Sequence, residues 1–155
     1  MRKIISIFVL AAAALSSIPA LAAPIVEHAW ARATAPGQDN GSLQFTITVD
    51  RAAKIVAASS PVSASAEIHA MTHEAGQMKM RAVDDIALPA GKKVDLSRSG
   101  NHIMLMDLKK PLKVGDTVPF SLVLQYGDGS RESVDAKAEV REPGSEHDMH
   151  GMMGM

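Results

Sequence analysis

Hydrophobic and polar residues alternate with a period of two along most of this chain. The alternation is clearest over residues 43–49, 118–126 and 134–140. Successive side chains of an extended strand point to opposite faces, so this pattern indicates strands with one buried face. Gly127-Asp128-Gly129 separates the second and third segments. It predicts a hairpin turn between them.

Shorter segments with strand character fill the rest of the central region. They are residues 25–32, 54–59, 66–71, 78–83, 93–96 and 102–108. Turn residues separate them, and no segment has a convincing helical stripe. Eight or nine strands at a spacing of roughly 10 residues predict an all-β fold. We expect an antiparallel β-sandwich with Greek-key connections, of the immunoglobulin-like or cupredoxin-like type.

The two ends of the chain depart from this pattern. Arg2 and Lys3 precede an apolar run over residues 4–15, and Ala20-Leu21-Ala22 follows it. This is the organisation of a secretory signal peptide, and the run is too short to cross a bilayer. The alternative is an uncleaved anchor. We predict that residues 1–22 are a signal for export to the periplasm, leaving no membrane insertion after cleavage.

The predicted β domain then covers residues 23–142. Residues 143–155 contain no alternation and are rich in His, Met and Gly. We interpret them as a flexible C-terminal tail.

Composition narrows the range of functions. The 155 residues suffice for one domain, and 16 basic against 17 acidic residues argue against nucleic-acid binding. The absence of cysteine excludes disulfides, thiolate zinc sites, iron–sulfur clusters and blue-copper centres. No GxSxG or HExxH motif is present, so we do not expect an enzyme.

Methionine and histidine recur together in three places. Beyond the predicted signal, Met occupies positions 71, 78, 80, 104, 106, 149, 152, 153 and 155, and His occupies positions 28, 69, 73, 102, 147 and 150. Only His28 stands apart from a methionine cluster. Metal affinity is the main property that the two residue types share.

The spacing within the predicted strands places these residues on common faces. His102, Met104 and Met106 share one face, and Ile103 and Leu105 share the other. If Ile103 and Leu105 enter the core, His102 and Met104 project outward. Neighbouring strands lie about 4.8 Å apart, so a second strand can complete a metal site.

The donor chemistry favours copper in its reduced state. A thioether is soft and neutral, and imidazole is borderline, so a mixed set favours Cu(I) over Zn²⁺, Mg²⁺ or Ca²⁺. Two thioethers and two imidazoles would form an uncharged four-coordinate set. Such ligands suit a carrier in an oxidising compartment.

Some of these residues have simpler interpretations. Met71, Met78 and Met106 could fill gaps in the core, which is a common role of methionine. His28 and His73 are expected to be exposed or hydrogen-bonded. Trp30 is expected to lie in the core.

The sequence also resembles a known family. His69, Met80, His102 and Met104 match the H-x10-M-x21-H-x-M motif of the periplasmic copper chaperones called PCu(A)C. The flanking segments 29–34, 67–69, 78–81, 102–106 and 108–112 are similar to those of the family, and the likeness covers most of residues 25–140.

The resemblance implies a cupredoxin-like sandwich that binds one Cu(I) near its surface through His69, Met80, His102 and Met104. It also implies delivery to the dinuclear copper centre of cytochrome c oxidase subunit II, alone or with a Sco-type partner. We expect Met71 to lie close to the metal without being one of its four ligands. We expect a monomer.

The tail offers a second set of donors. His147 and His150, with Glu146 and Asp148, suit Cu(II). The thioethers of the tail suit Cu(I); they belong to Met149, Met152, Met153 and Met155. We expect the tail to capture Cu(II) or additional copper, and the alternative is a tail with incidental methionines.

Three rival functions remain beside the chaperone. A copper buffer or resistance protein would sequester the metal without delivering it. An electron carrier is disfavoured because a neutral His/Met set favours Cu(I) over redox cycling. An adhesion or structural sandwich without metal leaves the clustering of Met with His unexplained.

Overall fold

The computed structural model describes residues 22–143, which form ten strands and one short helix. The strands are β1 (Ile25–Arg32), β2 (Gly41–Thr48), β3 (Ala53–Ser59), β4 (Ser63–Glu74), β5 (Gln77–Ala82), β6 (Ile86–Leu88), β7 (Val94–Asp95), β8 (Asn101–Leu108), β9 (Thr117–Tyr126) and β10 (Arg131–Arg141), and the helix is α1 (Leu96–Ser99). The predicted signal peptide and tail lie outside the described residues, apart from Ala22 and Pro143.

The strands pair in the order β5-β4-β8-β2-β1-β10-β9-β3-β6, and β7 pairs with β2. Strand β8 thus lies between β4 and β2, and β10 lies between β1 and β9. Such non-consecutive neighbours are the crossovers of a Greek-key sheet. The pairs are antiparallel except for β1 with β10, which is parallel and departs from the fully antiparallel prediction.

The sheet folds over on itself to enclose one core. Phe45 on β2 stacks on Phe120 on β9, with ring centroids 5.5 Å apart. Strands β1 and β10 lie between β2 and β9 in the sheet order, so a flat sheet would separate them by about 14 Å. The two aromatic rings therefore come from facing layers, as in the predicted cupredoxin-like sandwich.

The core lies between these layers and follows the predicted alternation. Its largest fully buried side chains are Phe45, Leu43, Ile47, Ile55, Leu88, Leu96, Ile103, Leu105, Leu122, Leu124, Val49 and Val118. The predicted hairpin between β9 and β10 is confirmed, with the Gly129 N–H donating to the Tyr126 carbonyl.

Two elements differ from the sequence prediction. Strand β6 was not predicted, since three residues are too few for a clear alternation. Residues 93–96 were predicted as a strand, but only Val94 and Asp95 pair with β2, and the chain then enters α1. The Asp95 side chain accepts a hydrogen bond from the Ser97 N–H, which caps the helix start.

Trp30 is buried, at 7% exposure, as predicted. Its side chain lies on the outer face of β1 rather than in the main core, because the next residue, Ala31, takes the core position. Trp30 is paired with Gln44 on β2.

Between residues 22 and 143, the structure contains no helix with the length and apolar character needed to span a membrane.

Candidate metal centre

His69 and His102 stand directly opposite each other on β4 and β8. Their ring centroids are 5.7 Å apart, and the ring planes are tilted by 57°. Glu67 and Met104 form the next pair on the same face. The two predicted imidazole ligands and one predicted thioether are therefore neighbours in a single patch of the sheet.

The core explains why these side chains face away from it. Ile68 and Ile103 also lie opposite each other, and both are buried in the main core. Alternation then turns His69 and His102 to the outer face. The predicted inward direction of Ile103 and Leu105 is confirmed, since each is fully buried.

His102 is less accessible than the outward prediction suggests. Only 7% of it is exposed, because β8 is an inner strand flanked by β4 and β2. Burial is the main cause that lowers the pKa of His102 below its ordinary value of 6.5, followed by the charges of His69 and Arg32. The ring is thus held neutral near pH 7, which is the state that binds a metal.

His69 has its two ring nitrogens in different situations. Its Nε2 lies 2.9 Å from Oε2 of Glu67, and this hydrogen bond assigns the ring proton to Nε2. Its Nδ1 is buried and has no hydrogen-bond partner among residues 22–143. A neutral His69 therefore keeps a lone pair on Nδ1 that no group in the described part of the chain uses.

Met80, His102 and Met104 line one cavity of about 370 Å³, together with Met71. Met80 lies opposite Met71 across the β4–β5 pair and is 50% exposed. Three of the four predicted ligands thus share a cavity wall. His69 is not part of that wall, but its ring lies next to the His102 ring, which is.

The rest of the cavity wall is polar but almost uncharged. Arg32 is its one charged residue, and no Asp or Glu lies among the described residues that form it. The Oε1 atom of Gln44, also in this wall, is buried without a hydrogen-bond partner among those residues. A wall without carboxylates does not suit Mg²⁺ or Ca²⁺.

Gly100 positions the start of β8 against β4. It caps α1 in the left-handed conformation, with φ 74°, and its carbonyl accepts a hydrogen bond from the Met71 N–H. A side chain at residue 100 would place its Cβ 3.1 Å from Cβ of Met71. Glycine therefore permits the close approach that brings Met71 beside His102.

The remaining candidate residues divide between exposed and half-buried positions. Met78 is 54% exposed, so core packing does not account for it. Met71 and Met106 are half-buried, and His28 and His73 are exposed, as expected for these two histidines. The predicted tail ligands lie outside the described residues; they are His147, Met149, His150, Met152, Met153 and Met155.

Sequence reasoning missed three polar neighbours of the site. Glu67 could have been found, because it is two residues from His69 and shares its face. Arg32 and Gln44 lie far away along the chain and reach the site only through the order of strands β1, β2 and β8.

The arrangement suits a soft metal ion. Within residues 22–143, no three His, Cys, Asp or Glu side chains are grouped closely enough to hold a metal. The candidate metal donors are therefore the two imidazoles and the thioethers beside them. Thioethers select Cu(I) among biological metals.

Comparison with known proteins agrees with this chemistry. The model of the LpqE-like family, whose description refers to a lipoprotein, matches residues 25–140. The chain belongs to this family, which is the PCu(A)C family. A protein of Leifsonia xyli named as a lipoprotein, Lxx21020, is 32% identical over 110 residues, which are 70% of this chain. The matched region spans 65% of the length of that relative.

Solved PCu(A)C structures share the fold. The apo PCuAC domain from PmoF1 is 29% identical, with a TM-score of 0.60, covering 79% of this chain and 97% of that domain. The Cu(I) form of DR1885 from Deinococcus radiodurans is 30% identical, with a TM-score of 0.54, covering 82% of this chain and 81% of that protein. Relatives of this PCu(A)C chain thus include a structure solved with Cu(I).

Proposed function

We propose that this PCu(A)C domain is a copper chaperone that binds one Cu(I) through His69, Met80, His102 and Met104. The observation that carries the proposal is the opposed pair of imidazoles, with Met104 and Met80 beside them on one outer face. The Cu(I)-bound relative supports the choice of metal.

The ligand set fits a carrier rather than an enzyme. All four donors are neutral, so the site gains no carboxylate or thiolate charge that would retain the metal strongly. The burial of His102 and the hydrogen bond from His69 to Glu67 hold both rings ready to coordinate. The site thus offers two oriented imidazoles to an incoming copper ion.

Release would begin at Met80. Its side chain is half exposed and comes from the edge strand β5, whereas His102 is buried on an inner strand. A ligand of the acceptor can therefore replace the Met80 sulfur first, while the histidines still hold the ion.

Export and delivery complete the proposal. The predicted signal peptide would direct the protein to the periplasm, and a lipoprotein name in the family agrees with export. The acceptor would be the copper centre of cytochrome c oxidase subunit II, reached directly or through a Sco-type chaperone.

Transfer separates a chaperone from a buffer that only sequesters copper. The Cu(I)-loaded protein should pass its metal to the purified copper domain of the oxidase subunit faster than a small-molecule chelator holding Cu(I) with the same affinity. Transfer no faster than from that chelator would favour the buffer.

The tail would have a separate task in this scheme. We propose that its histidines capture Cu(II) and that its methionines raise the local copper concentration. Deleting residues 143–155 should abolish a Cu(II) site while leaving the Cu(I) site intact. Unchanged Cu(II) binding after the deletion would contradict this role.

A further inference from the structure

The hairpin formed by β4 and β5 has two unlike faces. One face is polar and internally paired: Glu74 forms ion pairs with Lys79 and Arg81, and the Thr72 hydroxyl donates to the Lys79 carbonyl. The other face carries imidazole and thioether groups. Charge pairing thus explains the side chains on only one face of the hairpin.

The donor face forms a ladder of directly opposed pairs. His73 faces Met78, Met71 faces Met80, and His69 faces Ala82. Alternate residues of a strand share a face, so all six side chains lie on the same side of the hairpin. Side chains that are directly opposed have Cβ atoms about 4.5–5.5 Å apart, and diagonal neighbours are still within reach of long side chains.

The outer end of this ladder is open to solvent. His73 is exposed, Met78 is 54% exposed, and β5 is an edge strand. Methionine is usually buried, so exposed thioethers beside an exposed imidazole are not explained by packing. Met71 is the inner neighbour of this pair, and it also lines the cavity with His102 and Met104.

We propose that Met71, His73 and Met78 form a second Cu(I) site, separate from the four-ligand site. One imidazole and two thioethers give a neutral three-coordinate set, and soft sulfur donors select Cu(I). The outer site would accept copper from solvent or from a donor. The metal would then pass by ligand exchange from Met71 to Met80 and on to His69 and His102.

The test follows each methionine separately. The full chain, labelled with ¹³C at its methionine methyl groups and ¹⁵N at histidine, is titrated anaerobically with the acetonitrile complex of Cu(I) and observed by NMR. The first step should shift Met80 and Met104. A later step should shift the Met71 and Met78 methyl groups and the His73 ring with one common midpoint. Met106, on the same face of β8 but outside the ladder, should not move in that later step.

Variants connect the later step to the proposed ligands. His73→Ala/Met78→Ala should abolish the later shift of Met71 and slow the filling of the first site, while leaving the first step itself in place. His28→Ala removes an exposed histidine on β1 and serves as the matched control, which should behave like the unaltered chain.

The outcomes distinguish this site from the four-ligand site. If His73 and Met78 do not shift during the titration, or if the later shift of Met71 survives in the double variant, the outer site is refuted. If the Met80 and Met104 signals do not shift in the first step, the four-ligand site is refuted instead, regardless of the shifts of His73 and Met78.

Discussion

The two histidines of the candidate site are prepared for a metal by different means. His102 is kept neutral by burial, which disfavours its protonated form. His69 is oriented by Glu67, which accepts its Nε2–H and leaves Nδ1 without a partner among the described residues. Burial thus prepares the His102 ring and the hydrogen bond to Glu67 orients the His69 ring before any metal arrives.

Glu67→Gln should weaken Cu(I) binding without removing a proposed ligand. Glutamine is a weaker acceptor for the Nε2–H, so the orientation and proton position of His69 become less fixed. Outer partners of this kind typically change metal affinity by about 10–100-fold, and we expect a loss in that range. A competition titration with a chromophoric Cu(I) chelator measures it. Equal affinity in the variant would show that Glu67 does not prepare His69.

The lowered pKa of His102 predicts a pH-dependent stability of the copper-free protein. Below pH 6.5 the unfolded chain takes up a proton at His102 more readily than the folded chain does. The free energy of unfolding should therefore fall as the pH drops from 6.5 towards the lowered pKa, and His102 should contribute no slope above that range. Urea unfolding at several pH values measures this, with His102→Gln as the comparison. An identical slope in the variant would contradict the prediction.

At the level of the elements, the β4–β5 hairpin presents Met80 to the site and depends on a strained turn. Ala75 and Gly76 are its two central residues, with φ values of 49° and 77°. Two-residue hairpin turns with positive φ at both positions favour Asn-Gly. Alanine is an unfavourable residue at the first of these positions.

Ala75→Asn should stabilise the hairpin by about 1 kcal/mol, because asparagine tolerates the left-handed conformation better than alanine does. Amides of β5 that exchange through local opening of the hairpin should then exchange about 5-fold more slowly. Gly76→Ala is the matched control and should accelerate exchange. Unchanged β5 protection in Ala75→Asn would show that the turn does not limit the opening of the hairpin.

The sequence predicted most strands but not how they meet. Alternation located β2, β9 and β10, because each is long enough to show a buried and an exposed face, and shorter segments with strand character indicated β1, β3–β5 and β8. It could not locate β6, which has three residues, or show that β1 and β10 run parallel. Arg32 and Gln44 could not be assigned to the site for the same reason, since strand order is set by packing across the whole sheet.

For the molecule as a whole, the fold depends on its core and the function on its outer face. The Phe45–Phe120 contact joins the two layers, and none of the core residues is a proposed ligand. The protein should therefore be folded before it receives copper. The predicted signal and tail are outside the described residues, and their roles remain predictions.

Phe45→Ala should reduce the free energy of unfolding of the copper-free protein by about 3–5 kcal/mol, through lost burial and a cavity at the layer interface. Urea denaturation measures the loss. Val114→Ala, at a position 57% exposed, should change it by less than about 0.5 kcal/mol. Similar small effects in both variants would contradict the sandwich core described above.

The central claim is that the sandwich itself holds Cu(I) through two histidines and two methionines. Anaerobic competition titration of residues 23–142 against a chromophoric chelator tests it most directly. The account predicts one tight equivalent, lost in Met80→Ala/Met104→Ala and retained in Met106→Ala, with all three chains folded. Absence of tight binding in the shortened chain, or undiminished binding in the double variant, would contradict it.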